Sequence, residues 1–329
     1  RYTVTSALPY ANGPIHFGHV AGAYLPADVY VRTLRMQGED VLFVCGTDEH
    51  GVAITISAEK EGVPYPDYVA RWREDIHRTF EALGIEFDVW TGTSVSPAHA
   101  ETSQEFFRRL DENGYLERRD TAQLYCAHDE MFLADRYILG TCYVCEHAEA
   151  RGDECPNCGT WIDPLRLGEP SCKICGNRPE ERTTVHWYLD LPKLRDEHIG
   201  GWIHGHDWKP NVDAFIRNML DDVPQRAITR DMKWGVPVPP EFAGSEGKVL
   251  YVWFDAPIGY ISFTKELMQR RGTPEEWERW WKGDVRLVHF IGKDNIPFHC
   301  LVFPSKKHNQ KQNKKKTKHK PKKKKKKKN

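Results

Sequence analysis

Apolar residues recur with two periods along the first 120 positions. Tyr2-Thr3-Val4-Thr5-Ser6-Ala7-Leu8 reads as a strand, and Val20 to Leu25 as the start of a helix that Pro26 kinks or interrupts. Val41-Leu42-Phe43-Val44-Cys45 is a continuous apolar run, the pattern of a parallel strand buried on both faces. Asp67 to Leu83 and Ala98 to Asn113 carry helical spacing, closed by Gly84 and Gly114. Strands alternating with amphipathic helices predict an α/β fold with a doubly wound, Rossmann-like parallel sheet. The periodicity fades over 121–182, where Cys, Gly, Pro, Asp and Glu dominate, and returns from Val249. Leu250-Tyr251-Val252-Trp253-Phe254 and Val285 to Ile291 read as two further buried strands. The expected organisation is one nucleotide-binding fold in two halves, 1–120 and 183–304, split by an insertion at 121–182 and followed by a tail at 305–329.

The chain has 329 residues, enough for a large core, and its 40% apolar content is that of a globular protein. No apolar run approaches a membrane span and no secretory signal opens the chain, so the expected location is cytoplasmic. A start at Arg1 rather than Met leads us to expect a piece of a longer protein.

The balanced total of 47 basic and 47 acidic residues hides an asymmetry. Fifteen lysines and no acidic residue lie in 305–329, so 1–304 holds 32 basic residues against 47 acidic ones, a formal charge of −15. Net charge therefore gives the body no support as a nucleic-acid binder. The tail cannot form a core and is expected to be disordered. It reads as an RNA-binding arm or as the product of an altered or truncated reading frame.

Nine cysteines without a secretory signal point to thiols or metal ligands rather than disulfides. Cys142-x-x-Cys145 and Cys155-x-x-Cys158 form a paired knuckle, two ligands from each of two tight turns, as a tetrahedral zinc requires. Cys172-x-x-Cys175 is another half-site. Its partner is sought at Cys126-Ala127-His128-Asp129, giving a possible second zinc on Cys126, Cys172, Cys175 and either His128 or Asp129. Four protein ligands leave no open position, so these zincs are read as structural.

Residues 9–19, Pro-Tyr-Ala-Asn-Gly-Pro-Ile-His-Phe-Gly-His, carry the sharpest candidate chemistry. A strand turning tightly into a helix brings backbone N–H groups and a positive dipole end to one point. His16 and His19 add donors there, and glycines permit close approach, a set suited to nucleotide phosphates. Gly46-Thr47-Asp48-Glu49-His50-Gly51 follows the second strand at the carboxyl edge, where doubly wound folds bind ligands. The segments Tyr251 to Tyr260 and His289-Phe290-Ile291-Gly292-Lys293-Asp294 are expected at equivalent edges.

The first stretch resembles the HIGH signature of class I aminoacyl-tRNA synthetases. It, the three edge segments, and the insertion beginning Met131-Phe132-Leu133-Ala134-Asp135-Arg136-Tyr137 together resemble the methionyl-tRNA synthetase family over about residues 1–304. The resemblance implies ATP-dependent activation of methionine to the adenylate, with Mg, and transfer to tRNA(Met). It implies that His16 and His19 stabilise the ATP phosphates. Gly18, Gly292 and Asp294, with Lys293 beside them, would hold the nucleotide. Asp48 would bind the methionine ammonium, and Arg230 matches a family arginine near it. Leu8, Tyr10, Trp253, Ala256, Pro257, Tyr260, Ile296 and His299 would surround the thioether. After Pro304 the family pattern stops, before its second signature, KMSKS, and its anticodon-binding domain. An incomplete catalytic fragment is expected. Two other readings are a nucleotidyltransferase using H-x-G-H and a catalytically dead, zinc-containing RNA-binding protein.

Overall fold

The structure, a computed structural model, describes residues 1–304 except 153, 154, 161, 207 and 222; the expected disordered tail at 305–329 lies outside the described residues. Three parallel strands form the central sheet: β1 (Tyr2–Ser6), β2 (Val41–Val44) and a late strand, Arg286–Phe290. The late strand and β2 flank β1, with Tyr2 opposite both Arg286 and Val41. Side chains alternate across this sheet. Val4 and Phe43 face the helix Leu25–Met36, packing with Ala27, Val31 and Leu34. Leu42 and Val44 face the opposite layer, where Ile258, Phe263 and Trp281 belong to the main core. Helices thus cover both faces, which explains why β2 is apolar throughout.

The helices expected at 67–83 and 98–113 run Tyr65–Ala82 and His99–Glu112. Gly84 and Gly114 follow them at φ +66° and +72°, left-handed conformations that stop an α-helix. After the histidines a short helical turn, Phe17–His19, passes into a π-helical turn, Val20–Tyr24, before Leu25–Met36 begins. Pro26 sits in the first turn of that last helix, where its missing N–H costs nothing, so the irregularity lies before it.

The cysteine-rich region hangs on an antiparallel ribbon of β3 (Leu116–Cys126) and β4 (Glu180–Leu189), paired from Leu116–Leu189 to Tyr125–Glu180. The ladder runs unbroken past positions 120 and 182. Beyond it, Ile138–Thr141 pairs with Ala150–Arg151 on one side and Gly168–Cys172 on the other.

One expected strand is not formed as read. β5 (Thr229–Asp231) pairs antiparallel with β6 (Lys248–Leu250), and the strand ends there. Val252–Asp255 is a helical turn leading through Ala256–Ile258 into Gly259–Arg270. An apolar run of this length fits a buried strand or a buried helical turn equally well, and periodicity does not separate them. The late strand, β7 (Arg286–Phe290), forms as expected, but it is only partly buried rather than buried.

Candidate functional site

A cavity of about 570 Å³ opens at the carboxyl ends of β1, β2 and β7. It takes Leu8, Tyr10, Gly18 and His19 from the end of β1, Asp48 from the end of β2 and Arg230 from β5. Trp253, Ala256, Pro257 and Tyr260 line it from the helical segment after β6, and Gly292, Asp294 and His299 from beyond β7. His16, Lys293 and Ile296 do not line it: Ile296 belongs to the core, and Lys293 opens an exposed 3-10 turn.

The two histidines are oriented by the backbone they cap. Gly18 N–H donates to His16 Nδ1 at 3.0 Å, and His16 N–H donates to His19 Nδ1 at 3.2 Å. An Nδ1 that accepts carries no proton, so each neutral ring bears its proton on Nε2, as an outward donor. The rings stack at 3.7 Å, which places His16 beside the cavity residue His19. Partial desolvation and then the His16 ring lower the pKa of His19.

Asp48 is placed by main-chain pairing. Its N–H donates to Pro9 O and its carbonyl accepts from Ala11 N–H, at 2.9 and 2.8 Å. Glycine is required just before it, because a Cβ on Gly46 would lie 2.5 Å from the Thr91 carbonyl and 2.6 Å from Phe263. The next side chain, Glu49, is fully buried and bonded to Arg73, Thr47 and Ser94. Desolvation and then the charge of Asp255 raise the Asp48 carboxyl well above the ordinary value. The carboxylate accepts a long hydrogen bond, 3.4 Å, from His50 N–H. A carboxylate so placed favours a cationic ligand.

The apolar side of the cavity has one polar end. His299 Nδ1 donates to Asn295 O at 2.9 Å, so in the neutral ring Nε2 accepts from Tyr260 O–H, also at 2.9 Å. Burial raises the Tyr260 pKa, which keeps the phenol protonated. Trp253 stacks on Phe298 at 3.9 Å, and the Arg230 guanidinium lies 4.0 Å over the Tyr251 ring.

Sequence reading missed Arg136, Trp234 and Asn295, which also line the cavity. Arg136 comes from the insertion, where it follows Asp135 in the stretch Met131 to Tyr137. Trp234 holds the acidic loop by donating its indole N–H to Glu49 O at 2.7 Å.

The cysteines gather in two groups. Cys142, Cys145, Cys155 and Cys158 bring their sulfurs within 4.8 Å of one another, with Cys142–Cys158 at 3.9 Å and Cys145–Cys155 at 3.6 Å. Four sulfurs at ~2.3 Å from a tetrahedral zinc lie ~3.8 Å apart, so the group could hold that ion. Cys126, Cys172 and Cys175 gather with Asp129, whose Oδ2 is 3.1 Å from the Cys126 sulfur and 3.0 Å from that of Cys172. His128 is exposed and turns its Nδ1 to Asp129, so of the two candidates for a fourth ligand only Asp129 joins the cluster. No described helix is long and apolar enough to cross a membrane.

Comparison with known proteins agrees over nearly the whole chain. It is 51% identical over 308 residues to the methionine–tRNA ligase of Rubrobacter xylanophilus, covering 93% of this chain and 53% of that protein. The enzyme of Salinibacter ruber is 51% identical over 313 residues, and that of Pyrococcus furiosus 48% over 309; the match covers 93% of this chain in both, and 44% and 42% of those proteins. The chain thus spans about half the length of the curated relatives it matches. Among solved structures, Mycobacterium tuberculosis methionyl-tRNA synthetase in complex with methionyl-adenylate superposes with a TM-score of 0.66 at 25% identity, covering 94% of this chain and 54% of that one. The family model for tRNA synthetases class I (M) matches residues 2–321. With a mixed α/β fold and more than nine-tenths of its length matched, the chain belongs to the class I (M) tRNA synthetases.

Proposed function

We propose that this chain carries the amino-acid-activating part of a methionine–tRNA ligase, forming methionyl-adenylate from methionine and ATP for transfer to tRNA(Met). The observation that supports this most is the cavity itself. It sets one partly buried carboxylate, Asp48, beside an apolar and aromatic wall that ends in the Tyr260 hydroxyl. A methionine would place its ammonium on Asp48 and its sulfur among Trp253, Ala256, Pro257 and Tyr260, with Leu8, Tyr10, His299 and, from the core behind, Ile296 closing the wall. ATP would lie along Gly18, Gly292 and Asp294, with Asp294 on the ribose. His19, His16 and Lys293 would be near the phosphates, and Mg would accompany them. Arg230 would balance the charge near Asp48.

Catalysis of this kind needs no protein nucleophile. The methionine carboxylate attacks the α-phosphorus and pyrophosphate leaves. The protein aligns the two and offers the Nε2–H groups of His16 and His19 to the developing charge. The central sheet would be the core of a doubly wound nucleotide-binding fold, in two halves at 1–120 and 183–304. The insertion at 121–182 would hold two structural zincs, on Cys142, Cys145, Cys155 and Cys158 and on Cys126, Asp129, Cys172 and Cys175. A cytoplasmic location and an RNA-binding role for the lysine tail complete the reading.

Calorimetric titration with methionine, with and without ATP, followed by methionine-dependent pyrophosphate exchange, tests it. Saturable methionine binding that ATP strengthens is expected, with exchange slower than in a full-length relative. Absence of methionine binding would overturn the proposal.

A further inference from the structure

Beneath the Asp48 loop lies a buried polar array that the substrate reading above does not use. Asp255 and His99 are fully buried and His50 is nearly so. His50 Nδ1 donates to Asp255 Oδ2 at 2.7 Å, and His99 Nε2 approaches the same oxygen at 3.3 Å. His99 Nδ1 is in turn 2.9 Å from Ser262 Oγ, which is buried as well. The second oxygen, Asp255 Oδ1, is buried with no hydrogen-bond partner among the described residues. The three residues come from three distant segments: the loop after β2, the helix His99–Glu112 and the turn Val252–Asp255.

An array of this kind is costly. Burial alone would raise the Asp255 pKa; the His50 charge interaction and the hydrogen bonds from both imidazoles outweigh it and hold the carboxyl below its ordinary range. The ionised Asp255 then pushes the proton affinity of Asp48 upward. Packing alone gives no reason for a buried carboxylate beside a partly buried one, since apolar residues of similar volume serve a core as well or better. The connections of the array suggest another reason. His50 binds Asp255 with its side chain and donates its backbone N–H to Asp48 Oδ1 at 3.4 Å. Asp255 lies in sequence between Trp253 and the pair Ala256-Pro257, all of which line the cavity. The array therefore ties the anionic group of the cavity to its apolar wall through one side chain. It also adds a second negative charge behind the first.

We propose that Asp255, acting through His50, is the positioning residue of the ammonium subsite: it fixes Asp48 relative to the side-chain wall and strengthens the negative field there. This rests on the assignment of Asp48 to the methionine ammonium. It predicts that Asp255 matters for ligands with a cationic amine and not for the same ligand without one.

The test compares L-methionine with 4-(methylthio)butanoate, its des-amino analogue, by ligand-observed NMR, which reads millimolar dissociation constants. In Asp255→Asn, methionine affinity should fall by about tenfold, the effect of weakening one charge-assisted contact, while affinity for the analogue stays the same or rises as the repulsive charge is removed. Equal loss for both ligands would make the array merely structural and overturn the proposal. So would methionine affinity within twofold of the wild type. Should Asp255→Asn fail to fold, His50 supplies a second pair of variants. Asn places an N–H near the position of Nδ1, so His50→Asn should retain selectivity for methionine over the analogue that His50→Leu loses; equal selectivity in both overturns the proposal. A wild-type protein that binds no methionine refutes the underlying assignment instead, before any variant is compared.

Discussion

The insertion and the cavity-bearing sheet are built on opposite principles. In the sheet and its helical layers the fully buried large side chains are numerous, among them Phe43, Phe80, Phe106, Phe254 and Phe263. Among the described residues of 121–182 the corresponding set is Tyr137 alone, and the local core is otherwise made of small residues, single aliphatics and the sulfurs themselves. Its strands between the two metal-ligand groups are two to five residues long. Such elements cannot support themselves on apolar burial, and two four-residue groups that could each hold a metal ion stand among them. The sheet is held by its apolar core, and its cavity draws on distant segments of the chain.

Metal removal should separate the two regions most sharply. Structural zinc contributes on the order of 10 kcal/mol to small metal domains. Chelation, or Cys155→Ser, should abolish amide protection across 138–175 while β1, β2 and the helix Leu25–Met36 keep theirs. Hydrogen exchange checks this, with elemental analysis of the untreated protein; a chain free of zinc that still protects 138–175 would erase the contrast.

Asp48→Ala should act on the other region alone. Losing a charge-assisted contact costs roughly 1.5–3 kcal/mol, or about ten- to a hundredfold in methionine affinity, with the thermal midpoint unchanged. Calorimetry and a melting curve on the same sample measure both.

A smaller effect concerns protons. The free Asp48 carboxyl keeps its proton to higher pH than an ordinary carboxylate, because it is desolvated and faces Asp255. An ammonium favours the ionised form, so binding should expel a proton between the ordinary carboxylate range and the raised pKa. Titration in two buffers of different ionisation enthalpy should show proton release by the wild type, and none by Asp48→Ala at ligand concentrations high enough to saturate it.

The mildest change is Asp129→Cys. Asp129 stands three residues after Cys126, the place a second thiolate holds in Cys142-x-x-Cys145. The variant should retain its metal and release it to a competing chelator more slowly, since zinc accepts thiolate readily. Loss of one metal equivalent would show that the carboxylate is indispensable.

The same contrast governs what the sequence reveals. The grouping of the cysteines was legible because the spacing of a C-x-x-C pair is local; that Asp129 rather than His128 joins the second group needed coordinates. β1, β2 and the two long helices were legible because their faces are buried and periodic, and β7, only partly buried, because its run is largely apolar. Leu250 to Phe254 was misread because a short apolar run does not declare its period. His50 and Asp255 stood in candidate segments, but nothing in the spacing of His50, His99 and Asp255 announces that they meet. Arg136 was hidden because it reaches the cavity from the insertion, across the boundary that composition draws.

The strand order has a consequence for synthesis. β1 is the middle strand, and one of its two neighbours is β7, some 280 positions later in the chain. At ribosomal rates of about 5–20 residues per second, the first strand waits roughly 15 to 60 seconds for its second partner. Throughout that interval one edge of β1 stays open and the histidine turn faces an unfinished wall. The two cysteine groups are complete in the nascent chain long before the cavity is. A ribosome that pauses before residue 286 therefore leaves an intermediate with an exposed strand edge, a natural client for a chaperone.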